Sequence, residues 1–212
     1  MKRNLIFGMG LLLISLSLSA QYQDATKEQT DEIVSKITMS SESMTTLQGD
    51  FTQVKELSFM DDKVTSEGKM YYKKPNKIRW EYTKPIQYIF SMDGKTLQTT
   101  SGDKTNKMPV KSSKIFTEIS HVMIGSISGS GLVDSPDFDA RFFVGKEDYK
   151  VVLTPKKKEI KDLFSSVVIY IAKKDSKIHT VETVEKSGDK TTITLKNVQV
   201  NGEIVDETFT GE

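Results

Sequence analysis

The sequence predicts a mainly β chain: a single, strongly curved antiparallel sheet with short helices at one mouth. Three observations predict it. From about Gln48 to Thr100, and again from Phe138 to Val200, short segments of alternating apolar and polar residues follow one another with turn chemistry between them. Only two stretches, 24–47 and 115–127, place apolar residues at helical spacing. No linker or internal repeat divides the chain, so one domain is expected.

The first twenty residues read as a leader. Lys2 and Arg3 form a positive start, Leu5 to Leu18 an apolar run too short to span a membrane, and Ser19-Ala20 a small-residue cleavage site. The expected organisation is a signal peptide at 1–20 and a single domain at 21–212. No Cys follows the apolar run, so lipidation there is not expected.

Next comes a polar helix with a narrow buried stripe. Thr26 with Gln29 forms a capping box, and Ile33, Ile37 and Met44 recur at spacings of four and seven. LQGDFTQVKEL then reads as an amphipathic strand carrying Phe51.

Strands are expected at 65–73, 77–83, 86–92 and 95–100, joined by Lys-Pro-Asn, Lys-Pro and Asp93-Gly94. In MYYKKPNKIRWEYTKP, residues Met70, Tyr72, Ile78, Trp80 and Tyr82 share one register and Lys69, Lys73, Lys77, Arg79 and Glu81 the other. Ile86, Tyr88, Phe90 and Met92 continue the apolar register. Three successive strands thus place large apolar groups on one surface, as an antiparallel meander does.

In IFTEISHVMIGSI, Phe116, Ile119, Met123, Ile124 and Ile127 mark one face of a short helix, with Ser112-Ser113 as its cap. GSISGSG ends it. That run lacks the Lys-Ser/Thr of a phosphate loop and follows a helix instead of a strand, so it reads as a plain connection. Strands resume at Phe138–Val144 and around Tyr149–Leu153, then at 163–172, 177–186 and 190–200. VVIYI (167–171) is apolar on both faces and should be covered on both sides.

Composition narrows the function classes. Loss of the leader removes two positive charges from a formal net charge of +1, leaving −1, which offers no electrostatic case for nucleic acid. The chain has no Cys, and His121 and His179 lie far apart, so neither a structural metal site nor a cofactor is indicated. No Ser stands in a nucleophile elbow, and no catalytic set emerges. A sheet of about ten strands must curl to bury one face. Its concavity here is lined by Met, Tyr, Trp, Phe and Ile, which suits an apolar pocket or a filled core equally.

Several of these residues, in order, resemble the LolA family of periplasmic outer-membrane lipoprotein carriers. They are Asp50-Phe51-Thr52-Gln53, Glu67-Gly68 leading into Met70-Tyr71-Tyr72-Lys73-Lys74-Pro75-Asn76, then Trp80, Asp93-Gly94-Lys95-Thr96-Leu97 and Val152-Leu153-Thr154-Pro155. The likeness runs from about Leu47 to Phe209 and is most specific from Phe51 to Leu97.

The resemblance implies an incomplete β-barrel with a helical lid, acting in the periplasm as a monomer without an enzymatic step. It implies lipoprotein acyl chains held in the concavity, received from an inner-membrane ATP-driven release complex and passed to an outer-membrane acceptor. The wall it implies is Phe51, Met70, Tyr72, Ile78, Trp80, Tyr82, Tyr88 and Phe90, with Phe116, Ile119 and Met123 on the lid. The family's Arg before the turn proline, which latches the lid through helix-end carbonyls, is Lys74 here; Arg79 is the second latch candidate. A related carrier or sensor for another lipid or glycolipid is the alternative. A lipid-anchored acceptor would require the missing Cys.

Overall fold

Thr26 and Gln29 start a helix as their spacing predicts. The Thr26 hydroxyl accepts from Gln29 N at 3.3 Å, and the Gln29 side chain accepts from Thr26 N at 2.9 Å. The structure is a computed structural model. It describes residues 21–112, 114–129 and 135–210, with the backbone alone for 114–116. The expected leader lies outside the described residues.

Helix α1 (Lys27–Ser43) buries Ile33, Ile37 and Ser41, and Met44 at its C-terminal cap is buried as well. It begins later than the periodicity suggests, because Gln23–Asp24 pair as a short edge strand, β1. The first meander comprises β2 (Thr46–Glu56), β3 (Lys63–Lys73), β4 (Lys77–Lys84), β5 (Tyr88–Met92), β6 (Thr96–Ser101) and β7 (Lys104–Pro109). Strand β7 was not expected: it is an almost wholly exposed edge strand, so no buried face imposes alternation on it. The Lys74–Pro75 peptide in the β3–β4 turn is cis.

Helix α2 (Lys114–Ser128) follows a 3-10 turn at Val110–Ser112. Ser112 does not cap it; its hydroxyl donates to the Pro109 carbonyl at 2.6 Å, and Ser113 lies outside the described residues. The second meander is β8 (Phe138–Val144), β9 (Asp148–Pro155), a one-turn helix α3 (Lys158–Lys161), β10 (Phe164–Ala172), β11 (Ile178–Glu185) and β12 (Lys190–Val200). A last short helix, α4 (Glu207–Thr210), closes the described chain. Among the described residues no helix is long and apolar enough to cross a membrane.

All strands form one twelve-stranded sheet in the order β1-β8-β9-β10-β11-β12-β2-β3-β4-β5-β6-β7, every pair antiparallel. Its edges, β1 and β7, do not pair with each other, so the sheet stays open as an incomplete barrel. Both long helices lie against its inner face. Ile33, Ile37 and Val122 pack with the β8–β11 half, and Met44 and Ile127 with the β2–β5 half.

The outer face is covered where it must be. Tyr170, the outward apolar residue of VVIYI, lies 6.0 Å from the Tyr22 ring, and Lys150 Nζ sits over both rings at 5.4–5.9 Å. Over β4 and β5 lies the C-terminal segment, with Phe209 buried. Lys73 Nζ donates to the Ile204 carbonyl at 2.8 Å and to Asp206 at 2.7 Å, and Lys77 reaches Asp206 at 2.7 Å. The charged register of the β3–β4 hairpin is therefore a fastening for the chain end.

Two predictions follow from this packing. A Cβ at Gly68 would lie 2.0 Å from the Glu81 carbonyl oxygen and 2.7 Å from the Phe51 ring. Gly68→Ala should therefore cost about 2 kcal/mol or more in urea unfolding, whereas Gly202→Ala, with nothing within 4 Å, should stay within about 0.5 kcal/mol. The Asp206 carboxyl is held down at about 2 by hydrogen bonds from Lys73 and then Lys77. Its fastening is complete above the ordinary carboxylate range and is lost as pH falls through about 2. Hydrogen exchange should find residues 204–210 protected at neutral pH in the native chain and unprotected there in Asp206→Asn.

Candidate functional site

The register of the first meander stacks the expected wall residues across neighbouring strands. Met70 pairs with Trp80, Tyr72 with Ile78, Trp80 with Phe90, and Phe51 with Gly68 on one side and Leu195 on the other. The missing Cβ at Gly68 lets the Phe51 ring lie over the strand. There it stands 4.7 Å from Trp80 and 5.1 Å from Tyr82, edge-on to the latter.

Phe51, Met70, Tyr72, Ile78 and Trp80 form a single buried cluster with Met44, Leu47, Met92, Ile127 and Leu195; Tyr82, Phe90 and Met123 pack against it partly buried. Tyr88 stands at the rim with its ring 6.0 Å from Tyr82. Ile119 is half-buried on α2 and belongs to neither cluster. The side chain of Phe116 lies outside the described residues. Sequence reasoning missed the contribution of β12, where Ile193, Leu195 and Val198 complete the wall. Ile193 and Leu195 alternate in TITLKN, but only the β2–β12 pairing reveals which wall they join.

The site is closed in this structure. Among the described residues α1 and α2 pack into the concavity, and the void where they meet Leu47, Ile178 and Val198 holds only about 10 Å³, while an open groove of about 790 Å³ lies beside it along Ile178, Leu195 and Val198. The lining of the small void includes Ile37, Met44, Leu47, Ile127, Ile178 and Val198. Polar groups within the apolar wall are few. Tyr82 donates to Gln53 Oε1 at 3.0 Å, and burial pushes its hydroxyl up to about 12. Burial likewise raises the Tyr72 hydroxyl, against the hydrogen bond it shares with Ser128 at the end of α2. Trp80 Nε1 is buried with no hydrogen-bond partner among the described residues.

Lys74 sits where α1 ends. Its ammonium donates to the carbonyls of Ser41 at 2.7 Å and Glu42 at 2.9 Å. These are last-turn carbonyls, the Ser41 oxygen also accepting from the Met44 N–H at 3.3 Å, and the negative end of the helix dipole favours a cation there. Arg79 is not near α1. Its register points outward, where it binds Glu81 Oε2 at 3.0 Å and reaches the Thr208 carbonyl at 3.4 Å. It thus holds the C-terminal segment, with Lys73 and Lys77.

The histidines are separately placed. His179 on β11 lies 3.4 Å from Asp148, outside the wall. His121 is on α2, where the fold gathers its ligand atoms with those of Glu118 and Asp137 within 4.8 Å of one another. Glu118 already engages Lys157 at 2.5 Å, so a cation occupies the carboxylate the cluster would offer a metal.

Comparison with known proteins agrees with this architecture. A family model described as "Outer membrane lipoprotein carrier protein LolA" matches residues 42–212. The chain is 24% identical over 199 residues to an outer-membrane lipoprotein carrier protein of Chromohalobacter salexigens, covering 94% of this chain and 88% of that one. It is 26% identical over 204 residues to the protein of the same description from Cupriavidus taiwanensis, covering 92% and 89%. The crystal structure of an uncharacterized conserved protein from Thermus thermophilus is alike in fold, with a TM-score of 0.51 at 10% identity over 85% of this chain and 91% of that one. The matched region takes in every strand from β2 to β12, and the chain belongs to the LolA family of outer-membrane lipoprotein carrier proteins.

Proposed function

We propose that this chain carries lipoproteins across the periplasm, holding their acyl chains between the β2–β5 wall and helices α1 and α2. The observation that carries this reading is the difference between the two halves of the interior. The β8–β11 half is largely β-branched, with Val151, Val167, Ile169, Ile171, Ile178 and Val181 packed around Phe138 and Tyr149, and its cluster holds no methionine among the described residues. β-Branched side chains have few rotamers and pack in one way. Met44, Met70, Met92, Phe51, Tyr72 and Trp80 line the other half. Methionine repacks readily, and flat rings offer broad apolar surface to an occupant of undefined shape. One half is a fixed framework; the other can re-form around a chain.

Magnitudes favour displacement of the helix by cargo. α1 is held on its apolar side by Ile33, Ile37 and Met44, worth on the order of 5–9 kcal/mol by burial. An acyl chain of about sixteen carbons taken out of water gains roughly 12 kcal/mol. When cargo leaves, the helices cover a wall that would otherwise expose a large apolar patch. Lys74 is the releasable pin in this cycle: a point donor on two carbonyls, holding less firmly than a planar guanidinium. The periplasmic location rests on the leader-like residues 1–20 together with the family. So does exchange with an inner-membrane release complex and an outer-membrane acceptor. The reading involves no chemical step.

The single tryptophan, Trp80, reports on the wall directly. Brominated fatty acids or a brominated acyl-peptide should quench its fluorescence on binding; unquenched emission at saturating acyl chain sinks the proposal. Lys74→Ala should raise hydrogen exchange over 39–44 and, because the pin holds only the closed state, slow release of a bound acyl probe by about tenfold, and Lys74→Arg should restore both. Unchanged exchange in the alanine variant means that Lys74 is no pin.

A further inference from the structure

Five large apolar side chains at one end of the sheet remain in solvent. Phe59 is 76% exposed and Met60 45% at the tip of the β2–β3 hairpin, Val64 47% beside it, and Ile86 70% and Tyr88 36% at the β4–β5 turn. Register brings them to one rim. Glu56 pairs with Lys63, so residues 57–62 are the tip. Glu67 pairs with Lys84, which lays the β4–β5 turn beside the outer part of β3. Residues 63–66 of β3 pair with β2 alone, so the hairpin projects beyond that turn.

The tip is held, not loose. Ser58 N donates to Asp189 Oδ1 at 2.9 Å, and Ser58 Oγ lies 3.0 Å from both that oxygen and the Ser187 carbonyl. Met60 N donates to the Leu57 carbonyl at 3.1 Å. Asp189 is itself buried, and Gly188, at φ +93°, lets the β11–β12 turn pass close under Ser58. A fixed backbone thus presents Phe59 and Met60 outward. From the rim, ring contacts lead inward from Tyr88 to Tyr82 (6.0 Å), to Phe51 (5.1 Å) and to Trp80 (4.7 Å). The ring path to the candidate wall thus begins at Tyr88 on this rim.

We propose that this rim is a membrane-docking tip: Phe59, Met60 and Ile86 enter the interface of a lipid bilayer and set the aromatic path at its surface, where acyl chains can pass in or out. The purpose rests on the carrier reading above; the insertion does not. Shape selects the bilayer. A few side chains projecting from turn tips enter between headgroups readily, but they fall well short of the roughly 800 Å² per partner of a standard protein interface. Charge defines the mode. Asp61 and Asp62 stand beside Lys63, Lys84, Lys186 and Lys190, whose ammonium groups are engaged by Glu56, Glu67, Asp162 and Glu182. With these four lysines matched by four carboxylates and Asp61 and Asp62 in addition, the rim is not drawn to anionic lipid, so attachment is by apolar insertion.

The test is flotation of the mature chain with zwitterionic and with anionic vesicles. Binding to both, unchanged between about 0.15 and 0.5 M salt, is the expected result, and Phe59→Ser/Ile86→Ser should weaken it by at least about tenfold without changing the melting temperature. Because the chain has no Cys, a dye on Phe59→Cys reports insertion uniquely: it should shift to the blue with vesicles, and the same dye on Met39→Cys, exposed on α1, should not. Absence of flotation, binding confined to anionic vesicles and abolished by salt, or a wild-type dimer that the serine variant dissolves would each overturn the proposal. Trp80 quenching by brominated acyl chains, measured on the serine variant, separates the two readings. Retained quenching with lost flotation supports the tip as a distinct site; flotation without quenching in the wild type leaves the tip standing and removes the carrier.

Discussion

The fold depends on the pairing of β2 with β12. Apart from the short edge pair β1–β8, every other strand pair joins neighbours in sequence, so the chain is two meanders, β2–β7 and β8–β12. Phe51 opposite Leu195 and Ile193 opposite Gln53 set the register in which they become one sheet. A slip of one residue would set Phe51 opposite Thr194 or Lys196 and put Leu195 on the other face of the sheet from it. The seam also has a defect that serves it. The ladder is irregular between Lys196 and Gln199, with Asn197 in the left-handed region at φ +52°, and Val198 packs on the wall cluster over Gly49. The two interiors, one largely β-branched and one rich in Met and aromatic rings, share this boundary without sharing a packing style.

One hairpin fastens a helical element on each face of that sheet. Lys73 and Lys74 are adjacent in sequence but serve opposite sides. Lys74 holds the end of α1, while Lys73, with Lys77 and Arg79, holds the segment that leads into α4. The attachments differ in kind. The outer one joins ammonium groups to a carboxylate and sits over buried Phe209. On the inside, an ammonium meets only carbonyl dipoles, beside a narrow stripe of apolar contact. The weaker fastening lies over the adaptable wall, where a carrier must open.

A carrier also needs a wall that is closed when empty. On the carrier reading proposed above, the helices that pack on the wall serve as its cover until cargo arrives. The cost is a core half rich in Met and aromatic residues, packing with less definition than a β-branched core.

Much of this was legible in the residues. Alternation and turn chemistry marked nearly every strand to within a few residues, and the capping box and the Ile33-Ile37-Met44 stripe placed α1, because these are local signals that backbone geometry imposes on any chain. Parity in MYYKKPNKIRWEYTKP separated Met70, Tyr72, Ile78 and Trp80 from Lys73, Lys77 and Arg79 correctly. Parity does not say what each face meets. That Arg79 turns to the C-terminal segment and that Leu195 completes a wall begun at Phe51 were decided by contacts between residues more than a hundred positions apart, and that helices occupy the concavity by contacts between separate elements. Exposed edge strand β7 left no trace in the pattern because it buries nothing. The sequence by itself determined the strands, their faces and the apolar character of the wall; only the tertiary structure decided that the wall is shut, what shuts it, and which side chains stay outside at the rim.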